Sequence, residues 1–395
     1  MSYAREPEPA SEDAPDPQPW RRNLVLFLLT VVAVLVTGAA NYYETDEKDL
    51  GLVRTLRAAT QDHDALVRGM QFTVSMLGIL LAHEFGHYIA ARIHKVDTSL
   101  PYFIPLPLLS PFGTMGAVIR MRGTIPTRRA LLDIGASGPL AGLCVAIPVY
   151  CYGLAHSRIV PQATSGIGEL GESLLITFLD RVAGPSVADG QTLLYSPFAF
   201  AAWGGMFVTM INLLPVGQLD GGHVAYALFG KRQDVFARNV HRAVFLFFCG
   251  MVVVRMGLTL HAHGSMTMLA ARVRGSLFWL TWFQMLAILG TVSRKDRKTP
   301  VLPLATRLML TAALVLFPGF ADSESRVNVI LCWVAFAVAL AVMIRLEWTR
   351  GVFRPHGLFD HPEVSDERLD PVRTVIAVVT LLFFVALFMP TPFTM

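Results

Sequence analysis

Long apolar runs recur along almost the whole chain, near residues 23–40, 70–93, 130–152, 196–214, 243–260, 276–292, 303–320, 327–345 and 372–389. A helix crosses the hydrocarbon core of a bilayer in about twenty residues. Only helices and closed barrels satisfy their backbone there. The runs therefore predict an all-α polytopic membrane protein of about nine transmembrane helices. Composition agrees: of 395 residues, 53% are hydrophobic and 16% charged, against about a quarter charged in soluble domains.

The net charge of +4 sits in particular connections, so it reports topology rather than a nucleic-acid partner. Arg21 and Arg22 precede the first run, and the segments 92–129, 231–242, 293–307 and 345–373 are rich in Lys and Arg. Between them, 153–195 and 321–326 are poor in both. The alternation predicts a cytoplasmic N-terminus and an outer C-terminus, with the connection 41–69 fitting least well because it carries Lys48, Arg54, Arg57 and Arg68. The Pro-, Glu- and Asp-rich start reads as a disordered tail over 1–22, unlike a signal or transit peptide, which predicts a prokaryotic cytoplasmic membrane. Cys144, Cys151, Cys249 and Cys332 show no CxxC spacing and read as packing residues.

Inside the second run stands His83-Glu84-Phe85-Gly86-His87. Histidines four apart share one helical face and can reach a single Zn²⁺, and the glutamate between them can act as general base on a water at the metal. Three ionisable groups in an apolar span are costly unless they function. A catalytic zinc needs a third protein ligand. Asp220 is the best candidate, in the stretch Asn212-Leu-Leu-Pro-Val-Gly-Gln-Leu-Asp-Gly-Gly-His223, where Pro215 breaks the helix and Gly221 and Gly222 permit close approach. His223 is a rival ligand, and otherwise a supporting histidine. Asn212 could donate to a scissile carbonyl or its oxyanion, or could join two helices. His94 and His241 lie in basic segments and read as solvated, and the spaced Gly135, Gly138 and Gly142 read as helix-packing positions.

HEFGH, the downstream GASGPLAG at 135–142 and NLLPVGQLDGG at 212–222 together resemble the site-2 protease family of intramembrane zinc metallopeptidases. The segment from Ser110 to Ile119 and the helix start around Asp133 resemble its plant and cyanobacterial branch, named for ethylene-dependent gravitropism deficiency. The resemblance covers roughly 70–230. It implies that His83, His87 and Asp220 bind one Zn²⁺ per chain, that Glu84 is catalytic and that Asn212 assists substrate or oxyanion binding. It also favours a substrate-pairing edge at Gly113, Thr114, Met115, Gly116, Ala117 and Val118, in a small membrane-associated β-hairpin near the active site. The prolines at 101, 105, 107 and 111 make the preceding segment irregular. The connection 153–195 leaves no room for a PDZ domain.

The expected organisation is a tail at 1–22, a first span and outer loop at 23–69, a catalytic core at 70–230 and additional transmembrane helices at 231–395. The expected activity is hydrolysis of peptide bonds within or near transmembrane segments of a protein substrate, in the lipid bilayer, with the site opening to the cytoplasm. A non-catalytic metal-binding transporter or chaperone is the alternative. Peptidases acting on prenylated proteins use HExxH with a glutamate as third ligand, but none of the later glutamates, Glu347, Glu363 and Glu367, is expected in a comparable apolar helix.

Overall fold

The computed structural model describes residues 19–43, 52–107, 110–121, 125–161, 170–262, 265–293, 302–320, 326–354, 359–361, 364–365 and 367–390. The tail expected at 1–22 falls, up to residue 18, outside them. In chain order the elements are α1 (Pro19–Asn41), α2 (Leu52–Ala59), α3 (His63–Ile93), β1 (Tyr102–Pro105), β2 (Thr114–Val118), α4 (Arg128–Ala155), β3 (Arg158–Pro161), α5 (Leu174–Ala183), β4 (Gln191–Leu194), α6 (Pro197–Asn212), α7 (Asp220–Phe229), α8 (Arg232–His261), α9 (Met266–Arg274), α10 (Leu277–Ser293), α11 (Leu304–Phe320), α12 (Arg326–Arg350) and α13 (Pro371–Leu387).

A helix stands at each of the nine apolar runs. Among the described residues, five of them, α1, α3, α4, α8 and α12, are long and apolar enough to cross a membrane; α6, α10, α11 and α13 have only 16 or 17 residues. The membrane character shows in which side of a helix is apolar. Only 22% of the most apolar window of α8 and 17% of that of α12 is buried. Apolar surface left outward on this scale is expected against lipid, not water.

Two compact units form, and α3 runs through the boundary at residue 73. The first holds residues 1–73 and 99–120. Its sheet is the antiparallel pair β1–β2, with Tyr102 opposite Val118 and Phe103 opposite Ala117. The expected hairpin thus exists, but residues 114–118 pair with 102–105, where the prolines had suggested an irregular segment. Pro105 fits because the register shifts between Phe103 and Pro105, and proline is tolerated at such irregularities. The hairpin lies along α1: Asn23 Nδ2 donates to the carbonyls of Leu100 (2.8 Å) and Pro101 (2.9 Å), and Phe27 meets Phe103 edge-on at 5.1 Å. Gly113 has φ +73°, and a Cβ there would stand 2.6 Å from Ala33 O, so both conformation and space require glycine.

The second unit holds residues 74–98 and 121–395. Its helices begin where side chains answer orphan N–H groups. Thr127 caps α4 by accepting from Ala130 N, Ser196 caps α6 from Ala199 N, and Asp370 caps α13 from Arg373 N, with a proline opening α6 and α13. Gly153 lets α4 close on α6, since a Cβ there would meet the Ala199 backbone. One core joins α4, α7 and α13 through Leu131, Leu132, Ala136, Val224, Ala227 and Ala377. A second joins α8 to α12 through residues such as Phe245, Phe248, Phe283, Leu314 and Phe336. The connection 153–195 carries the unanticipated strand pair β3–β4 and the short helix α5.

Candidate metal centre

The i, i+4 spacing puts His83 and His87 on one face of α3, and that face is turned inward. His83, Glu84 and His87 are 3%, 4% and 6% exposed, while Phe85 and Ile89 are 40% and 56% exposed. In this part of the helix the ionisable groups are buried while Phe85 and Ile89 face out, which suits a helix whose outer side meets lipid.

Asp220 comes to these histidines from a broken helix. α6 ends at Asn212, residues 213–219 turn, and α7 starts at Asp220 itself. The turn is folded so tightly that a Cβ at Gly221 would meet the carbonyl of Leu213, and one at Gly222 the carbonyl of Gly217. Asp220 Oδ2 lies 3.2 Å from His83 Nε2 and 3.2 Å from His87 Nε2, and the two Nε2 atoms are 3.1 Å apart. Among the described residues this is the one group of three or more His, Cys, Asp or Glu side chains that could hold a metal ion.

The donor set fits zinc. Neighbouring ligand atoms stand about 3.3–3.4 Å apart in a tetrahedral site with bonds of about 2.0–2.1 Å, close to the spacing seen here. His87 Nδ1 is 2.7 Å from the carbonyl oxygen of Ile134 and donates to it, which leaves Nε2 as a lone pair aimed at the other two ligand atoms. Two imidazole nitrogens and a carboxylate facing one another so closely call for a cation between them.

α4 forms the wall behind the ligands. A Cβ at Gly138 would overlap the His87 ring, one at Gly142 would stand 3.3 Å from His83 Nδ1, and one at Gly135 would stand 2.9 Å from His223 Cβ. These positions, expected to serve helix packing, make room for His83, His87 and His223. Pairing of α3 with α4 is equally close at Gly86, where a Cβ would stand 2.9 Å from the carbonyl carbon of Ser137.

Asn212 Nδ2 lies 3.3 Å from His83 Nε2, at the rim of the triangle. His223, the rival ligand, is turned away and shares a 2.8 Å hydrogen bond with His361. Two histidines expected to be solvated are not. His94 pairs with Asp133 at 2.8 Å, and His241 is fully buried, with Nε2 3.0 Å from the Phe283 carbonyl. Glu347 also departs from expectation: it lies in the apolar α12, fully buried, but it pairs with Arg307 at 2.7 Å and has no part in the triangle. Glu363 lies outside the described residues.

The residues from Gly113 to Val118 belong to the first compact unit. Thr114 is buried and donates through Oγ1 to the Ile104 carbonyl (2.9 Å), whereas Met115 and Val118 are exposed. Sequence reasoning missed Ile134, whose contribution is a backbone carbonyl that no side-chain pattern signals. It also missed His361 and Arg373, which lie far along the chain from every motif.

Comparison with known families bears on the same residues. Residues 71–254 match the model of Peptidase family M50. The chain carries a peptidase family M50 domain. This is the site-2 protease family that the motifs resemble. The chain is 32% identical over 220 residues to "Probable zinc metalloprotease EGY1, chloroplastic" of Arabidopsis thaliana, covering 53% of this chain and 39% of that relative. It is 32% identical over 222 residues to the protein of the same name from Oryza sativa subsp. japonica, covering 53% and 38%. To "Probable zinc metalloprotease EGY2, chloroplastic" of Oryza sativa subsp. indica it is 31% identical over 173 residues, covering 42% and 30%. The chain thus spans about two fifths or less of the length of these curated relatives. Their names place them in chloroplasts and lend no support to the prokaryotic cytoplasmic membrane expected from the sequence. No solved structure matches the chain.

Proposed function

We propose that this M50 protein is an intramembrane zinc metalloendopeptidase that cleaves peptide bonds within or near transmembrane segments of other proteins. The observation that carries the reading is the triangle of His83 Nε2, His87 Nε2 and Asp220 Oδ2, 3.1–3.2 Å on each side, with both histidines buried beside Glu84 in a helix of membrane-crossing length. The names of the matched relatives support the class of chemistry.

His83, His87 and Asp220 would hold the zinc, which when bound would supply Lewis acidity to a water and to the scissile carbonyl. Glu84 takes the proton from the attacking water and returns it to the leaving amine nitrogen. The amide N–H of Asn212 donates to the carbonyl oxygen as charge develops on it. The carbonyl of Ile134 holds His87 in the tautomer that leaves Nε2 free.

A helical substrate keeps its carbonyls in intrahelical hydrogen bonds, so it must be drawn into an extended form before cleavage. Among the described residues the strand β2 pairs with β1 alone, and its other edge suits addition of an extended substrate along Gly113, Thr114, Met115, Gly116, Ala117 and Val118. The Lys/Arg distribution supports a site opening toward the positively charged side of the bilayer.

The test is metal analysis and cleavage of a transmembrane substrate by the purified full chain and by Glu84→Gln. The expected result is one zinc per chain in both and cleavage lowered by about 10²–10⁴-fold in the variant. A wild-type chain that binds no zinc, or a Glu84→Gln chain that cleaves at the wild-type rate, overturns the reading. Zinc without cleavage in either chain favours the transporter or chaperone instead.

A further inference from the structure

Three residues four apart on α8 hold the segment that follows α12. Asp234 Oδ1 accepts from His361 N (3.0 Å), Arg238 Nη1 pairs with Asp360 Oδ1 (2.9 Å), and Arg242 Nε donates to the Val352 carbonyl (2.9 Å). Glu347, in the last turn of α12, fixes the start of the same segment by accepting from Val352 N at 3.0 Å. Spacing of four residues aligns these groups on one helical face.

His361 in turn meets α7, the helix that Asp220 opens. The His361 ring stacks on Tyr226 with centroids 4.2 Å apart and shares its 2.8 Å hydrogen bond with His223 Nδ1. His223 stands one turn after Asp220 and is wedged against α4 at Gly135. Both rings are buried, so each polar nitrogen must find its partner inside the protein.

The chain then reaches α4 directly. Arg373 donates from Nε to Asp133 Oδ1 (3.0 Å) and from Nη2 to Asp133 Oδ2 (2.7 Å), a two-pronged pair that fixes orientation as well as distance. Asp133 also takes His94 Nε2 at 2.8 Å, at the end of α3. The next residue is Ile134, whose carbonyl holds His87.

We infer that His361 and Arg373 buttress the metal centre as positioning residues, with Val352 and Asp360 tying the same part of the chain to α8. His361 acts through His223 on the helix that carries Asp220, and Arg373 acts through Asp133 on the carbonyl that orients His87. Both residues lie beyond the stretch 71–254 matched by the M50 family. The chain outside that domain therefore completes the support of its ligands. Outer-shell partners of this kind set metal affinity by holding ligands in place.

This inference rests on the zinc reading, and its test separates the two. The full chain in detergent micelles is loaded with Co²⁺, its visible ligand-field spectrum recorded and its affinity measured by chelator competition. The wild type is compared with His361→Ala, His361→Gln, Arg373→Ala and Arg373→Lys, with Asp220→Ala as the ligand loss and Arg345→Ala, at an exposed position of α12, as the control.

His361→Ala and Arg373→Ala are expected to weaken Co²⁺ binding about 10–100-fold and to change the ligand-field band. His361→Gln, whose amide can still donate or accept at His223, is expected to recover part of the loss, and Arg345→Ala to match the wild type. A wild type that takes up no Co²⁺ overturns the metal site itself. A wild type that binds while both alanine variants match its affinity and spectrum overturns the buttress alone. Arg373 and Asp133 are partly exposed, so Arg373→Ala decides the question even where His361→Ala does not fold.

Discussion

Gly138 stands directly against the imidazole of His87: any side chain on α4 at this point would occupy the space of the ring. His87 keeps its place because the opposite helix has nothing there but backbone. Gly138→Ala is therefore expected to displace His87 and to lower zinc affinity by at least about tenfold, as loss of ligand support does elsewhere. Gly78→Ala on α3 is the control, because a Cβ there meets nothing within 4 Å. That change should leave zinc binding intact and, by removing a helical glycine, raise stability by about 0.5–1 kcal/mol. Isothermal chelator competition and thermal unfolding of the two variants check this.

Asn212 lies close enough to His83 to act beside the metal without being needed to hold it. Asn212→Ala should retain zinc and lower kcat by about 10²–10³-fold, the usual cost of one oxyanion donor. A variant that loses zinc instead would assign Asn212 to ligand support.

Removal of the metal should loosen the unit it ties together. Asp220 Oδ2 links α7 to both histidines of α3 in the triangle, so chelation is expected to lower the Tm of the wild type and zinc to restore it. At free zinc about 100 times the Kd, the stabilisation is about 2.7 kcal/mol. Asp220→Ala should show the low Tm with or without zinc.

Arg307 and Glu347 form a buried ion pair between α11 and α12, with side chains 2% and 0% exposed. Removing one partner leaves the other charged and buried, so Arg307→Met and Glu347→Leu are each expected to cost about 3–5 kcal/mol. The double variant should cost less than either single one. Thermal unfolding of the three variants in micelles measures the coupling.

Much of this architecture was legible in the sequence because it depends on short-range patterns. Membrane runs are a matter of length and composition, and a helix formed at every one of them. Four of those helices have only 16 or 17 residues, and caps such as Ser196 before Pro197 set where α6 begins. Residues 102–105 escaped notice because proline argues against a strand and only the pairing with β2 and its register shift accommodate Pro105. His94 and His241 were misread because basic neighbours along the chain say nothing about Asp133 or Phe283, which come from other helices.

The sequence by itself determined that His83 and His87 share a helix face, since four residues make about one turn, and that a broken helix rich in glycine carries Asp220. Folding decided which of Asp220 and His223 faces those histidines, because the tight turn at 213–219 aims the first residue of α7 at α3 and leaves the fourth to His361. It also decided what holds the ligands: a backbone carbonyl at Ile134, the bare surface of Gly138 and an arginine 240 residues from its partner Asp133. Contacts at that separation depend on how helices pack, and no local pattern records them.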